Sequence, residues 1–368
     1  MGKKVFVGMS GGVDSSVAAM ALKDQGYDVV GVFMRCYNLD GCAERDAEDA
    51  RRVAEHLGIP FYVWDFEEEY KKRVVEYMVE GYRAGITPNP DVMCNKEIKF
   101  GLFLEKALAA GADLVATGHY VRIEEENALD GTPRFALFAA KDAAKDQSYF
   151  LWTLTQNELS RCLFPIGRYV EREVRAMARA AGLPTAEKKD SQGICFLGDI
   201  TIADFLKQYI PERRGALVTT AGERIGEHSG VEFYTIGQRH IDANFSFPKT
   251  RGVKERKPLY VASKDRETNT LVLAEGSLHD ALYRKEIDLV NLNLISGEYN
   301  GGGHGTVVFA RVRYRQPLAR AVLTLPNGTK DSTPARLTFE KPQKFVAPGQ
   351  SAVWYSENGE MLGGGVIA

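Results

Sequence analysis

Apolar residues in the first third of the chain fall into short unbroken runs separated by longer mixed stretches. KKVFVGM at 3–9, DVVGVFM at 28–34 and PFYVWD at 60–65 have strand length, and continuous apolar runs of that size mark strands buried on both faces. The stretches 13–25 and 44–57 between them have helical length, so the order reads βαβαβ. A helix is predicted over 67–83, a loop at Gly85 and Thr87-Pro88-Asn89-Pro90, a helix over 96–110, and a strand from Asp113 to Gly118. An α/β fold with a parallel sheet covered by helices on both faces is the arrangement that buries such strands. The pattern over 146–182 also reads as helical, closed by Gly182-Leu183-Pro184.

From about residue 216 the character changes to short β-type runs broken by Gly, Pro and Asn. Candidate strands are Val231–Ile236, Leu259–Ala262, Thr270–Ala274, Gly305–Arg313, Ala319–Leu325, Arg336–Phe339 and Gln350–Tyr355. These lengths suit small β-barrels or sandwiches. With 368 residues the chain exceeds the roughly 250–300 at which a single core stops growing. Boundaries near 205 and 280 divide it into units 1–205, 206–280 and 281–368.

Composition changes this picture little: 44% hydrophobic and 26% charged residues are ordinary for a folded protein. No apolar run is long enough to cross a membrane, and Met-Gly-Lys-Lys leads straight into a strand pattern without a signal-type apolar segment. A cytoplasmic protein without a membrane partner is expected. Five irregularly spaced cysteines, Cys36, Cys42, Cys94, Cys162 and Cys195, fit reduced thiols better than a disulfide scaffold.

The net charge of −2 conceals an asymmetry, with −6 over 1–200, +1 over 201–280 and +3 over 281–368. Lys249, Arg251, Lys254, Arg256 and Lys257 form one basic cluster, and Arg311, Arg313 and Arg315 flank Tyr314 in another. Such clusters either meet phosphates or form a solvated charged face.

Candidate chemistry begins where the first strand ends, in Gly8-Met9-Ser10-Gly11-Gly12-Val13-Asp14-Ser15-Ser16. Glycines at a strand-to-helix turn let consecutive N–H groups converge on an anion at the helix N-terminus. Ser10, Ser15 and Ser16 add hydroxyl donors, and Asp14 either orients the loop or holds a Mg2+ ion that bridges phosphates. The run lacks the Gly-Lys-Ser/Thr of a Walker loop and the G-x-G-x-x-G of a dinucleotide fingerprint. It resembles the PP-loop, S-G-G-x-D-S, of enzymes that cleave ATP to AMP and pyrophosphate. That resemblance implies ATP binding by Gly8 to Ser15, with Met34 and Gly118 at the same carboxyl edge of the sheet.

Cys94, in Asn89-Pro90-Asp91-Val92-Met93-Cys94-Asn95-Lys96, is expected in the loop entering a helix, near its N–H groups and Lys96, where a thiolate is favoured. Cys195, in DSQGICFLG at 190–198, follows Lys188 and Lys189. On spacing alone each is as well read as a small buried hydrophobe.

At this point the sequence resembles the tRNA-specific 2-thiouridylases over nearly its whole length. The segments that carry the likeness are GMSGGVDSSV at 8–17, CAERDAEDARRVAEHLGIP at 42–60, TPNPDVMCNKEIKF at 87–100, ATGHY at 116–120, KDQSYFL at 145–151, DSQGICFLG at 190–198, YTIGQR at 234–239, VRYRQ at 312–316 and APGQSAVWY at 347–355. The resemblance implies a Rossmann-like PP-loop domain, a small mainly β central domain and a C-terminal β-barrel. It implies Cys94 as nucleophile, Cys195 as the residue that takes sulfur as a persulfide from a cysteine desulfurase or sulfur-relay carrier, and Asp91 as acid/base. The two cysteines would end a turnover as a disulfide.

The same resemblance places Asn89, Pro90 and Asp91 against the target base, and Lys145, Asp146, Gln147, His119, Arg313, Tyr314 and Gln350 against tRNA. On the residues alone, His119 reads as a structural histidine near a strand end. After YTIGQR the chain departs from the family's glycine-rich turn with His240-Ile-Asp-Ala-Asn-Phe-Ser-Phe-Pro, and Cys36 and Cys42 match no role. Two rival readings are another PP-loop ligase acting on a small metabolite, and an RNA-binding protein with ATP as structural ligand. The first has no use for two reactive cysteines, and the second would tolerate their loss.

Overall fold

The computed structural model describes residues 2–37, 39, 41, 43–127, 131–189, 196–197, 200–246, 257–296, 305–326 and 335–368. Strands β1 (Lys4–Gly8), β2 (Asp28–Arg35), β3 (Phe61–Asp65) and β4 (Leu114–Thr117) form a parallel sheet in the order β3-β2-β1-β4, completed by the two-residue strand Cys162–Leu163 beside β4. Helix α1 (Val13–Asp24) is buried over most of its surface, Ser15 and Ser16 included, whereas α2 (Ala43–Leu57) buries only Ala50, Val53, Ala54 and Leu57. A third helix runs over 67–83 as Glu67–Tyr70, a π-type stretch Lys71–Val75 and Glu76–Arg83. The fourth runs over 90–109 as Pro90–Met93, a π-type stretch Cys94–Leu102 and Phe103–Ala109.

The later elements are β5 (Val121–Asn127) and β6 (Pro133–Ala139), a hairpin, followed by a second five-stranded sheet. That sheet contains β8 (Gly215–Thr219), β9 (Arg224–His228), β10 (Asn244–Phe245), β11 (Leu259–Asp265) and β12 (Thr270–Glu275), with the Cys162–Leu163 strand counted as β7. Strands β13 (Tyr283–Leu294), β14 (Thr306–Arg311), β15 (Ala319–Thr324), β16 (Ala335–Lys344), β17 (Ser351–Tyr355) and β18 (Met361–Ile367) close into a barrel. Its interior is filled by alternating inward residues such as Leu289, Val308, Ala310, Leu323, Leu337, Phe339 and Trp354, so it is a packed core and not a channel.

Three expectations from sequence need correction. The stretch 146–182 is not one helix: it contains a 3-10 turn at Ser148–Phe150, a short helix Gln156–Leu159, strand β7 and only then helix Glu171–Ala180. Its apolar side chains serve two partners, because Tyr149 and Trp152 bond Ser351 of the barrel while Cys162 joins the parallel sheet. Val231–Ile236 is not a strand, because Val231–Phe233 forms a 3-10 turn after Gly230 and the Tyr234 carbonyl is taken by the Lys264 ammonium at 2.9 Å. The fourth helix starts at Pro90 and not at 96, since Asn89 caps it by accepting the Val92 N–H at 3.2 Å and proline suits a first helical position.

Candidate active site

The register pairs Gly8 with Val32 on one side and Thr117 on the other, so the loop after β1 emerges at the carboxyl edge of the sheet. Gly11 has φ +74°, and a Cβ there would lie 2.3 Å from the Asp46 carbonyl oxygen, so only glycine lets the loop lie against α2. Gly118 lies as tightly on the start of α1, where a Cβ would stand 2.6 Å from Ser15 N. The loop is braced from within: Ser10 N donates to Ser15 Oγ at 3.1 Å, and Ser16 Oγ donates to the Gly12 carbonyl at 2.7 Å. Tyr120 Oη donates to Asp14 Oδ1 at 2.9 Å. Ser10 is exposed and Gly12 and Asp14 are half-buried, which leaves the mouth of the loop open at the helix N-terminus.

Magnesium was expected with the nucleotide. Among the described residues no group of three or more His, Cys, Asp or Glu side chains could hold a metal ion. The oxygen set at this loop, one carboxylate with serine hydroxyls, suits a hard cation that takes its remaining ligands from phosphates and water.

The second feature is a cleft of about 410 Å³ lined by helices and loops of the N-terminal part, the central unit and the barrel unit. Asn89, Pro90 and Asp91 line it from the fourth helix, Tyr82 from the third, Tyr149 and Phe150 from the segment after Gln147, Thr235 and Gln238 from the central unit, and Arg313, Tyr314 and Gln350 from the barrel. Gln350 Nε2 donates to the Thr87 and Pro88 carbonyls at 3.0 and 3.1 Å, so the barrel holds the loop that presents Asn89 to Asp91. Tyr314 packs on Phe150 with centroids 4.4 Å apart, and the Arg313 guanidinium lies over Phe345. Burial raises the Asp91 carboxyl, with Lys99 opposing, and burial pushes the Tyr82 phenol up to about 12.

Several expected positions stand differently. Cys94 lies inside the fourth helix, 7% exposed, with its own N–H bonded within the helix, so it does not sit among free N-terminal N–H groups. Asp146 is 4% exposed: its carboxylate receives Ala140 N and Ser148 N at 3.2 Å each and pairs with Arg311 at 3.1 Å. Asp146 therefore fastens the barrel, and Arg311, buried in that pair, does not join a phosphate-facing cluster. Lys145 pairs with Glu171 at 3.2 Å, and Gln147 Oε1 receives Tyr120 N at 2.9 Å. His119 is 6% exposed, its ring packed beside Phe100 and Phe164. Cys195, Cys42 and the basic residues Lys249, Arg251, Lys254 and Arg256 lie outside the described residues.

Sequence reasoning missed Tyr82, Tyr149, Phe150, Thr235 and Gln238 in the cleft, and Lys99 and Thr117 behind it. One signal was present for Lys99: Asp91, Asn95 and Lys99 are spaced by four, which places them on one face of a helix.

Three family signatures match consecutive parts of the chain: a tRNA methyl transferase HUP domain over 3–199, a tRNA methyl transferase PRC-barrel domain over 203–275 and an aminomethyltransferase beta-barrel domain over 284–367. A tRNA-specific 2-thiouridylase MnmA of Methylobacillus flagellatus is 45% identical over 372 residues, covering 100% of this chain and 99% of its own. One from Geobacillus kaustophilus, named tRNA-specific 2-thiouridylase MnmA 1, is 45% identical over 374 residues and covers 99% and 95%. Among solved structures, a 4-thiouridine synthetase–RNA complex with bound ATP aligns with 57% of this chain and 50% of its own, at 18% identity and a TM-score of 0.34, too loosely to add to the argument.

Proposed function

The chain belongs to the tRNA-specific 2-thiouridylases, and from that premise we propose that it replaces the C2 oxygen of a tRNA wobble uridine by sulfur at the expense of ATP. The observation that carries this reading is the pairing of a nucleotide-type loop, Gly8 to Ser15, with a cleft that has Asp91 in its wall and Cys94 one turn along the same helix. The cleft volume lies in the range of small-ligand sites and accepts a base taken out of its stack. The three units 1–205, 206–280 and 281–368 divide the labour, the first holding the nucleotide and all three lining the base cleft.

In this scheme the uracil O2 attacks the α-phosphorus of ATP, an O–P bond forms, and pyrophosphate leaves with its charge met by the loop N–H groups; Asp14 would hold Mg2+, which would supply further counter-charge for the phosphates. Asp91 accepts the proton released from the base. The outer sulfur of a persulfide on Cys195, loaded by a cysteine desulfurase or sulfur-relay carrier, then attacks C2, and AMP departs from that carbon. Cys94 as thiolate attacks the Cys195 sulfur, which releases 2-thiouridine and leaves a Cys94–Cys195 disulfide. The two electrons that reduce the transferred sulfur come from the two thiols, and a thiol reductant resets them. Asn89, Pro90, Arg313, Tyr314 and Gln350 bind or frame the base and its flanking tRNA, and the setting is the cytoplasm.

Nucleoside mass spectrometry after incubation with tRNA, ATP, magnesium and a persulfide donor tests the reading. We expect 2-thiouridine with stoichiometric AMP and pyrophosphate. Stoichiometric ADP and phosphate would overturn the adenylylation step, and full thiolation by both Cys94→Ser and Cys195→Ser would remove the cysteines from it.

A further inference from the structure

We propose that Lys99 is a positioning residue for this reaction: clamped by His119, its ammonium supplies the counter-charge for Asp91 in the base cleft. The proposal rests on Asp91 acting as acid/base, as argued above, and starts from the helix that carries both residues.

Asp91, Asn95 and Lys99 follow one another at four-residue intervals, and from Cys94 to Leu102 the helix is of the wide π-type. Residues so spaced share one face, and long helical side chains lean back toward the N-terminus, which directs Lys99 toward Asp91. Asn95, 4% exposed, stiffens the row by donating from Nδ2 to the Asp91 carbonyl at 3.0 Å.

At the other end Lys99 Nζ lies 3.5 Å from His119 Nε2. An ammonium can only donate, so Nε2 is the bare nitrogen and Nδ1 carries the ring proton, donated to Thr117 Oγ1 at 2.7 Å. Phe100 and Phe164 fix the ring plane, with centroids 5.8 and 6.2 Å from it. Burial first, and the Lys99 charge second, hold His119 well below the usual imidazole range, so it stays a neutral acceptor. A neutral, buried histidine has little to offer a phosphate backbone, but it is well suited to hold a cation in place. Lys99 in turn opposes the effect of burial on Asp91.

The other titratable or charged groups around Asp91 are Cys94 on its own helix, Tyr77 and Tyr82 from the helix over 67–83, Tyr149, and Arg313 and Tyr314 from the barrel. Arg313 acts on Tyr149, whereas among the described residues Lys99 is the charge that acts on Asp91.

The test is the pH profile of single-turnover thiolation with a persulfide donor as sulfur source, alongside tRNA affinity by filter binding. Lys99→Met should move the acid limb up by about one pH unit or more, the scale on which a nearby opposite charge acts on a carboxyl. Lys99→Arg should keep the limb in place, and His119→Phe should move it in the same direction as Lys99→Met by a smaller amount. All three should bind tRNA within twofold of the parent.

An unmoved limb in Lys99→Met, or tRNA binding lost in His119→Phe with the limb unchanged, would overturn the proposal. If Lys99→Met is inactive at every pH, carbon-13 NMR titration of the Asp91 carboxyl, identified against Asp91→Asn, reads the same shift without turnover. Asp91→Asn also separates the two claims. Full activity there defeats the acid/base reading, whereas an inactive Asp91→Asn with an unmoved Lys99→Met defeats this inference alone.

Discussion

The nucleotide loop and the base cleft are built in opposite ways. The loop is one continuous segment, Gly8 to Ser16, whose internal bonds run from Ser10 to Ser15 and from Ser16 to Gly12. The cleft draws residues from Tyr82 to Gln350, contributed by the helices beside the parallel sheet, a loop of the central unit and the barrel unit. A site made of one segment depends on its own backbone geometry and on the few residues packed on it, here Asp46, Gly118 and Tyr120. A site made of many depends on how the units are fastened. The two should therefore fail separately when damaged.

The sharpest test of that separation is Gly118→Ala. Its Cβ would stand 2.6 Å from Ser15 N and 2.7 Å from the Asp14 carbonyl carbon, so α1 and the loop must shift. Misplacement by about 1 Å can cost 10²-fold in rate. We expect pyrophosphate release to fall by that order while tRNA affinity, measured by filter binding, stays within twofold. Equal loss of both would show that loop and cleft are a single unit.

The same contrast explains what could be read from the sequence. The loop was legible because its glycines, serines and aspartate are consecutive and sit between a strand and a helix, which implies anion binding, and its resemblance to the PP-loop adds the ATP chemistry. Cys94 was legible as a residue but not in its setting, because the Asn89 cap and Pro90 start the helix six residues before the apolar periodicity at 96 does. The segment 146–182 misled for a physical reason: its apolar residues face a barrel more than a hundred residues later, which mimics the pattern of a helix stripe. The hairpin β5–β6 was missed although Asp130-Gly131 is a turn signal. Asp146, read by resemblance as a tRNA contact, is a fastening residue because its partner Arg311 comes from β14, a pairing that no local pattern encodes.

Arg311→Met breaks that fastening. Removing one partner of a buried pair leaves the other charge without compensation and costs about 3–5 kcal/mol. Urea unfolding should show a loss of this size, and adding Asp146→Asn should recover part of it. At low temperature ATP binding should persist, since the loop does not draw on the barrel. A stability loss below 1 kcal/mol would mean that the pair is not what holds the barrel in place.

A smaller effect is expected from Arg313→Ala, which takes one guanidinium from the cleft wall without breaking an ion pair among the described residues. Loss of one phosphate contact should weaken tRNA binding at low salt by about tenfold and reduce the slope of log affinity against log salt by about one. Arg315→Ala, on the exposed side of Tyr314, should change both less. An unchanged salt slope in Arg313→Ala would leave Arg313 as a packing partner of Phe345 and nothing more.

The smallest effect concerns the turn that brings Thr235 and Gln238 to the cleft. Lys264 donates to the Tyr234 carbonyl at 2.9 Å, and burial pushes its ammonium down to about 8 despite the opposing charge of Glu232. An unfolded lysine titrates near 10.4. Between those two values the unfolded chain holds a proton that the folded chain has lost, so stability from this group rises with pH across the window and is least below 8. Replacing Lys264 by Met removes the dependence. The difference in unfolding free energy, parent minus Lys264→Met, should therefore increase from pH 8 to 10, while the shared titration of the tyrosines cancels. A difference that stays flat would show that Lys264 is not held in its half-buried setting, and the turn would then owe its position to the Thr87–Thr235 contact and the packing of Gly237 on Phe345.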